Sequence, residues 1–123
     1  MHEIVIAALV MLFALQSPVV WGGDHIEMHV TDRGATIEFD CAHGAFEGAL
    51  KPDAEGRFEK TGTFNPERGG PTRDDAPPPL AATYAGMIKD DAMSLRVTIT
   101  GQDVPTMTFE LARGRAGNVR KCR

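Results

Sequence analysis

Residues 84–99 read YAGMIKDDAMSLRVTI, and this stretch decides the fold class. Apolar or small side chains alternate with their neighbours on both sides of an Asp-Asp pair, at Tyr84, Gly86, Ile88, Met93, Leu95, Val97 and Ile99. A period of two is typical of a strand with one buried face. Pairing Ile88 with Met93 leaves only Asp90 and Asp91 between the two strands, so the stretch predicts a tight hairpin. The same register pairs Tyr84 with Val97.

The same alternation recurs through the chain after residue 24. It predicts seven strands, at residues 25–31, 36–43, 46–50, 57–64, 82–89, 92–100 and 106–112. Because short turns join most of them, we expect an antiparallel meander that forms a small up-and-down barrel or a curled sheet. The fold class is therefore all-β. A chain of 123 residues has room for one domain, which we place at residues 23–123.

The register of the first hairpin follows from keeping its apolar side chains on one face. The pairs that satisfy this rule are Ile26 with Cys41, Met28 with Phe39 and Val30 with Ile37, joined by a loop from Asp32 to Ala35. Continued by two residues, this register places His43 on the core face, opposite Asp24. On the outer face it predicts the pairs His29 with Glu38 and Glu27 with Asp40.

The N-terminal segment has the features of an export signal. Residues Ile4 to Leu15 form an unbroken apolar run, about 18 Å long as a helix and too short to cross a bilayer core of about 30 Å. We expect a signal peptide helix at residues 1–22, and periplasmic or secreted localisation with no integral membrane domain after cleavage. A buried core segment and a short uncleaved membrane anchor are the alternatives.

Two cysteines and a mild negative charge limit the chemistry. An exported chain with only Cys41 and Cys122 is expected to form one disulfide between them, the alternative being two buried free thiols. A net charge of −4 argues against a nucleic-acid-binding protein. The last eleven residues, 113–123, nevertheless hold five basic residues and no acid. They form either an anion contact or a solvated tail held by Cys122.

Several short stretches of the chain resemble a family of small secreted bacterial proteins with no assigned function. They are Trp21 to Ile26, Phe39 to Gly44, Gly62 to Phe64, Tyr84 to Gly86, Met93 to Leu95, Arg113-Gly114 and Cys122. The resemblance covers essentially the whole mature chain and implies export and a two-cysteine β-domain, but no catalytic residues. The Tyr84-Ala85-Gly86 strand that enters a tight hairpin is also similar to lipocalin-like (calycin) barrels.

The candidate ligand-binding residues are Asp24, His43, Arg68 and Arg73. Asp24 and His43 form a pair able to orient an imidazole, or else to close the barrel end. Arg68 and Arg73 flank two glycines in the long loop from Asn65 to Leu80, which could hold a carboxylate or phosphate but lacks the context of a P-loop. Meander topology predicts that all four lie on one rim around an apolar mouth.

A second polar face carries His25, Glu27 and His29, with Glu38 across from them. It could bind a divalent metal, but an exposed polar face is the interpretation we adopt, so we expect no metal and no cofactor. The function we expect is a non-catalytic binding or interaction module of the cell envelope, with an anionic or amphipathic small ligand or an envelope protein as partner. A structural or envelope-stress protein and a small hydrolase that uses Asp24 and His43 are the alternatives.

Overall fold

The structure, a computed structural model, describes residues 18–68 and 77–122. It contains eight strands: β1 (Val19–Gly23), β2 (Ile26–Thr31), β3 (Gly34–Phe39), β4 (Ala42–Glu47), β5 (Arg57–Pro66), β6 (Leu80–Lys89), β7 (Ala92–Ile99) and β8 (Met107–Arg113). The predicted all-β class is confirmed. No helix in the described residues is long and apolar enough to span a bilayer.

The strands form a closed antiparallel barrel in which each strand pairs with the next and β8 pairs with β1. Alternate connections therefore lie at opposite ends. We call the end that carries the connections 24–25, 40–41, 67–79 and 100–106 the upper end, and the other end the lower end. The turn at 90–91 lies at the lower end, opposite the long loop.

Strand β1 was not predicted, and it is the strand that closes the barrel. It pairs along its length with β2, while Trp21 and Gly22 pair with Arg113 and Ala112 of β8. Trp21 is buried, and a Cβ at Gly22 or Gly23 would collide with neighbouring backbone. The predicted signal peptide overlaps this strand at residues 19–22, and its residues 1–17 lie outside the described part of the chain.

The first hairpin keeps its predicted faces but is shifted by two residues. Ile26 pairs with Phe39 and Met28 with Ile37, around a turn that contains only Asp32 and Arg33. The shift is possible because moving by two residues preserves which side chains face the core. On the outer face, Glu27 therefore lies opposite Glu38 rather than Asp40, and His29 opposite Thr36.

The predicted second strand, 36–43, is in fact two strands separated by a tight turn at Asp40-Cys41. Cys41 has a φ of 53°, a left-handed conformation that breaks the strand. The turn reverses the alternation, so Ala42, Gly44 and Phe46 face the core and His43 faces out. The prediction that His43 continues the core face opposite Asp24 is therefore wrong.

The β6–β7 hairpin is the best-predicted element. Ile88 pairs with Met93 and Tyr84 with Val97, as expected, and Asp90 takes the positive φ of 56° that a two-residue turn requires. Gly86 has no room for a side chain because of its neighbour on β5. The ring of Phe58, its cross-strand partner, occupies the space that a Cβ would need.

Among the residues that the structure describes, sixteen buried apolar side chains fill the barrel. The largest of the fully buried ones are Tyr84, Ile26, Met28, Ile37, Met93, Leu95 and Val97. Tyr84 donates its phenolic hydrogen to the carbonyl oxygen of Thr63 at 2.6 Å, and burial raises the pKa of its hydroxyl group. The interior of the barrel is therefore a packed core rather than an open chamber.

Candidate functional site

The upper end of the barrel exposes part of the core. Four apolar side chains there point inward but are only partly buried: Phe64, Leu80, Met107 and Phe109. The buried ring of Phe39 lies beneath them, with ring centroids 5.2 Å from Phe64 and 5.5 Å from Phe109. These contacts hold the three rings as one aromatic cluster at the opening.

Three of the four predicted ligand-binding residues lie around this end. Asp24 lies in the β1–β2 turn, His43 is the second residue of β4, and Arg68 follows the end of β5. All three are exposed. Arg73, the fourth, lies outside the described residues.

Asp24 and His43 do not form the predicted pair. Asp24 lies 3.8 Å from the guanidinium group of Arg115, and its backbone forms a bridge with Asn118. His43 faces outward and donates from Nδ1 to Glu67 Oε2 at 2.7 Å, since a carboxylate can only accept. Each side chain thus has a different partner, and the imidazole is oriented by Glu67.

The C-terminal tail, residues 114–122, crosses the outside of the barrel from β8 toward the upper end. Gly114 donates from its backbone nitrogen to the carbonyl of Val20, and Asn118 does the same to Gly23. Farther along, Cys122 forms a disulfide with Cys41, with the two Cα atoms 4.8 Å apart. The predicted disulfide is confirmed, and the tail is a strap that joins the last strand to the β3–β4 turn.

Two carboxylates on the outer face hold the strap through its backbone. Glu27 accepts from the Gly117 nitrogen, and Asp40 accepts from the Arg120 nitrogen, each at 2.7 Å. Both carboxylates also bind a histidine: Glu27 binds His29 at 2.7 Å and Asp40 binds His25 at 2.6 Å. The pKa of each carboxyl group is lowered, and the backbone hydrogen bond is the largest cause.

The third carboxylate, Glu67, holds the strap through a side chain. It accepts from Lys121 Nζ at 2.9 Å as well as from His43. Partial desolvation opposes ionisation of Glu67, but the hydrogen bonds from Lys121 and His43 outweigh it and lower its pKa. Each of the three anchoring carboxylates therefore binds one histidine and one donor of the strap.

Lys121 is enclosed by oxygen atoms. Besides Glu67, its ammonium group donates to Glu38 Oε1 at 2.8 Å and to the carbonyl oxygens of Ala42 at 2.9 Å and Phe39 at 3.2 Å. Partial burial would lower the pKa of Lys121, but its bonds to the two carboxylates outweigh that effect and raise it. This cluster was not predicted from the sequence, although a lysine beside Cys122 and acids around Cys41 were a signal.

The polar face considered for a metal has a different use in the structure. His25 binds Asp40 and His29 binds Glu27, so the two imidazoles are held by different carboxylates. Among residues 18–68 and 77–122, no group of three or more His, Cys, Asp or Glu side chains is arranged to hold a metal ion.

Comparison with known proteins adds no relative. No family model matches the chain, and no curated protein or solved structure gives a significant match to it. The resemblance to small secreted bacterial proteins and to lipocalin-like barrels stays a prediction.

Proposed function

We propose that the chain is an exported, non-catalytic binding module whose ligand surface is the upper end of the barrel. The observation that carries this proposal is the group of partly exposed apolar side chains at that end, Phe64, Leu80, Met107 and Phe109. Partly exposed apolar groups that cluster at one end of a barrel are typical of a contact surface.

The packed interior limits how far a ligand can enter the barrel. Below the aromatic cluster, Ile37, Tyr84 and Val97 are fully buried and fill the barrel. A ligand can therefore contact only the end of the barrel and is not enclosed. An amphipathic molecule fits this geometry, because its apolar part can cover the rings while its polar head stays in water.

An anionic head group is favoured by Arg68. This residue is exposed and lies two positions beyond the end of β5, the strand that supplies Phe64. Within the described residues, Arg68 forms no salt bridge. A guanidinium group can bind a carboxylate or a phosphate through two parallel hydrogen bonds.

The alternative of a hydrolase has less support. It needs Asp24 to orient His43, and the two have separate partners, Arg115 and Glu67. Cys41 is close to His43 in the sequence, but its thiol is in the disulfide and cannot act as a nucleophile. The disulfide is compatible with an exported protein, and periplasmic or secreted localisation is part of this proposal.

The proposal is tested by titrating the isotopically labelled protein with dodecanoate below its micelle concentration and following chemical shifts by NMR. We expect saturable shifts at Phe39, Phe64 and Phe109. Met107→Ala should weaken binding, whereas Met87→Ala, on the outer face, is the matched control and should not. Arg68→Ala should weaken binding about two- to fivefold, the range of an exposed ion pair, and Arg33→Ala at the lower end should have no effect.

Two results would contradict the proposal. One is the absence of saturable shifts at the three rings. The other is an equal loss of affinity in Met107→Ala and Met87→Ala, which would mean that dodecanoate binds apolar surface without selectivity. Circular dichroism of each variant confirms that the barrel is intact.

A further inference from the structure

The outer face of β5 to β8 is a second surface with an ordered pattern. Cross-strand pairing arranges its outward side chains in rows. The first row is Arg57, Met87, Ser94 and Glu110, and the second row is Glu59, Ala85, Arg96 and Thr108. A third row contains Thr61, Thr83 and Thr98, whose hydroxyl oxygen lies 3.3 Å from that of Thr106.

This face is shaped to receive another surface. The first two rows line a shallow groove of about 460 Å³. Met87 is 43% exposed and is one of three large apolar side chains with that degree of exposure in the described residues. Ser94 and Ala85 lie beside it and are small, so a protruding side chain stands next to a hollow.

We propose that this face binds a second copy of the chain, about a two-fold axis that runs along the strands between β6 and β7. Such an axis keeps each row in place and exchanges β5 with β8 and β6 with β7. It brings Arg57 opposite Glu110 of the second copy, and Glu110 opposite Arg57 of the second copy. A two-fold interface of this kind must be self-complementary, and this one is.

The charges of the second row are also matched. Arg96 lies opposite Ala85 of the second copy, one strand spacing of about 4.8 Å from Glu59 of that copy. All four charged side chains of the face can thus pair across the axis. Within residues 18–68 and 77–122, none of them forms a salt bridge inside its own chain. The face is neutral although the chain carries −4, so like charges do not oppose the contact.

The shapes correspond in the same arrangement. The axis places Met87 over Ser94 of the second copy and the stem of Arg96 over Ala85, so that each large side chain meets a small one. The third row brings threonines opposite threonines, which can share hydroxyl hydrogen bonds. The position of the two-fold axis alone determines all of these contacts between the two copies.

The area predicts a weak dimer. Laid flat, four strands at about 4.8 Å and three outward residues per strand at about 6.8 Å would cover about 19 Å by 20 Å, so the curved face of the closed barrel offers at most about 400 Å² on each copy. The total of about 800 Å² is below the roughly 1,200 Å² of stable complexes. We therefore expect association at high protein concentration, and weaker association at high salt.

The test is a charge exchange followed by sedimentation between about 10 μM and 1 mM. The wild-type protein should show a mass that rises toward that of a dimer. Arg57→Glu alone places two Glu-Glu contacts in the dimer, and Glu110→Arg alone places two Arg-Arg contacts, so each should weaken association at least about tenfold. An equimolar mixture of the two variants restores both opposite-charge contacts and should associate at least as well as wild type.

The mixture decides the proposal. Arg57 and Glu110 of one chain are three strand spacings apart, about 14 Å, so recovery in the mixture cannot arise within a chain. Arg33→Glu, on another part of the surface, is the charge-matched control and should associate like wild type. A mixture no more associated than the single variants, or a monomeric wild type at about 1 mM, would overturn the proposal.

Discussion

Loss of the Cys41–Cys122 disulfide should destabilise the barrel mainly through its unfolded state. The bond joins residues 81 positions apart and so closes most of the described chain into a loop. The chain-entropy relation gives about 15 cal/mol/K for a loop of this length, or about 4.5 kcal/mol at 25 °C, as an upper value. The folded state should change little, because the strap has other attachments at Gly114, Gly117, Asn118 and Arg120.

The assay is urea unfolding of the oxidised and of the reduced protein, followed by circular dichroism. We expect reduction to lower the free energy of unfolding by about 3–4.5 kcal/mol. The dependence of that free energy on urea should become steeper, since an unfolded chain without the cross-link exposes more surface. Cys122→Ala is the control: it should match the reduced wild type and should not respond to reductant.

A loss smaller than about 1 kcal/mol would refute this reasoning. It would mean that the unfolded chain already keeps its two ends together, or that the reduced strap detaches and the folded state regains the lost entropy. Amide hydrogen exchange at Gly117 and Arg120 separates these two explanations, because only detachment exposes both amides.

Two further predictions concern acid and export. The pKa values of Glu27, Asp40 and Glu67 are lowered in the folded state. Their ionised carboxylates therefore stabilise the folded state fully above the ordinary carboxyl pKa of about 4, and this stabilisation is lost as the pH falls through the lowered pKa values. Stability measured by urea unfolding should therefore fall between about pH 5 and pH 3, less so in Glu67→Gln, and an unchanged midpoint would contradict the anchoring role. The second concerns processing: because Val19–Gly23 closes the barrel, N-terminal sequencing of exported protein should find a first residue no later than Val19, and a start at Gly23 would contradict a barrel closed by β1.

Elements whose conformation is set by side-chain alternation were predictable from sequence. The register and the turn of the β6–β7 hairpin were predicted to the residue, because seven apolar or small residues alternate around an Asp-Asp turn. Strand β1 was not, since two of its five residues are glycines, Gly22 and Gly23, whose role is to let the strap and β8 approach. An alternation of apolar and polar side chains cannot reveal a strand whose positions require glycine.

The side of the sheet on which His43 lies was predicted wrongly for a related reason. One residue, Cys41, adopts a left-handed conformation that non-glycine residues rarely take, and this ends a strand that otherwise alternates without a break. Every side chain after it changes face. The anchors of the strap were equally invisible, because Gly117 and Arg120 contribute backbone nitrogens, which carry no mark in the sequence.

The basic C-terminal segment is explained by the acids that it meets. Lys121 lies between Glu38 and Glu67, Arg113 lies 3.3 Å from Asp91, and Arg115 faces Asp24. Arg113, Arg115 and Lys121 therefore each lie beside a carboxylate of the barrel. This favours a strap held by Cys122 over an anion-binding tail.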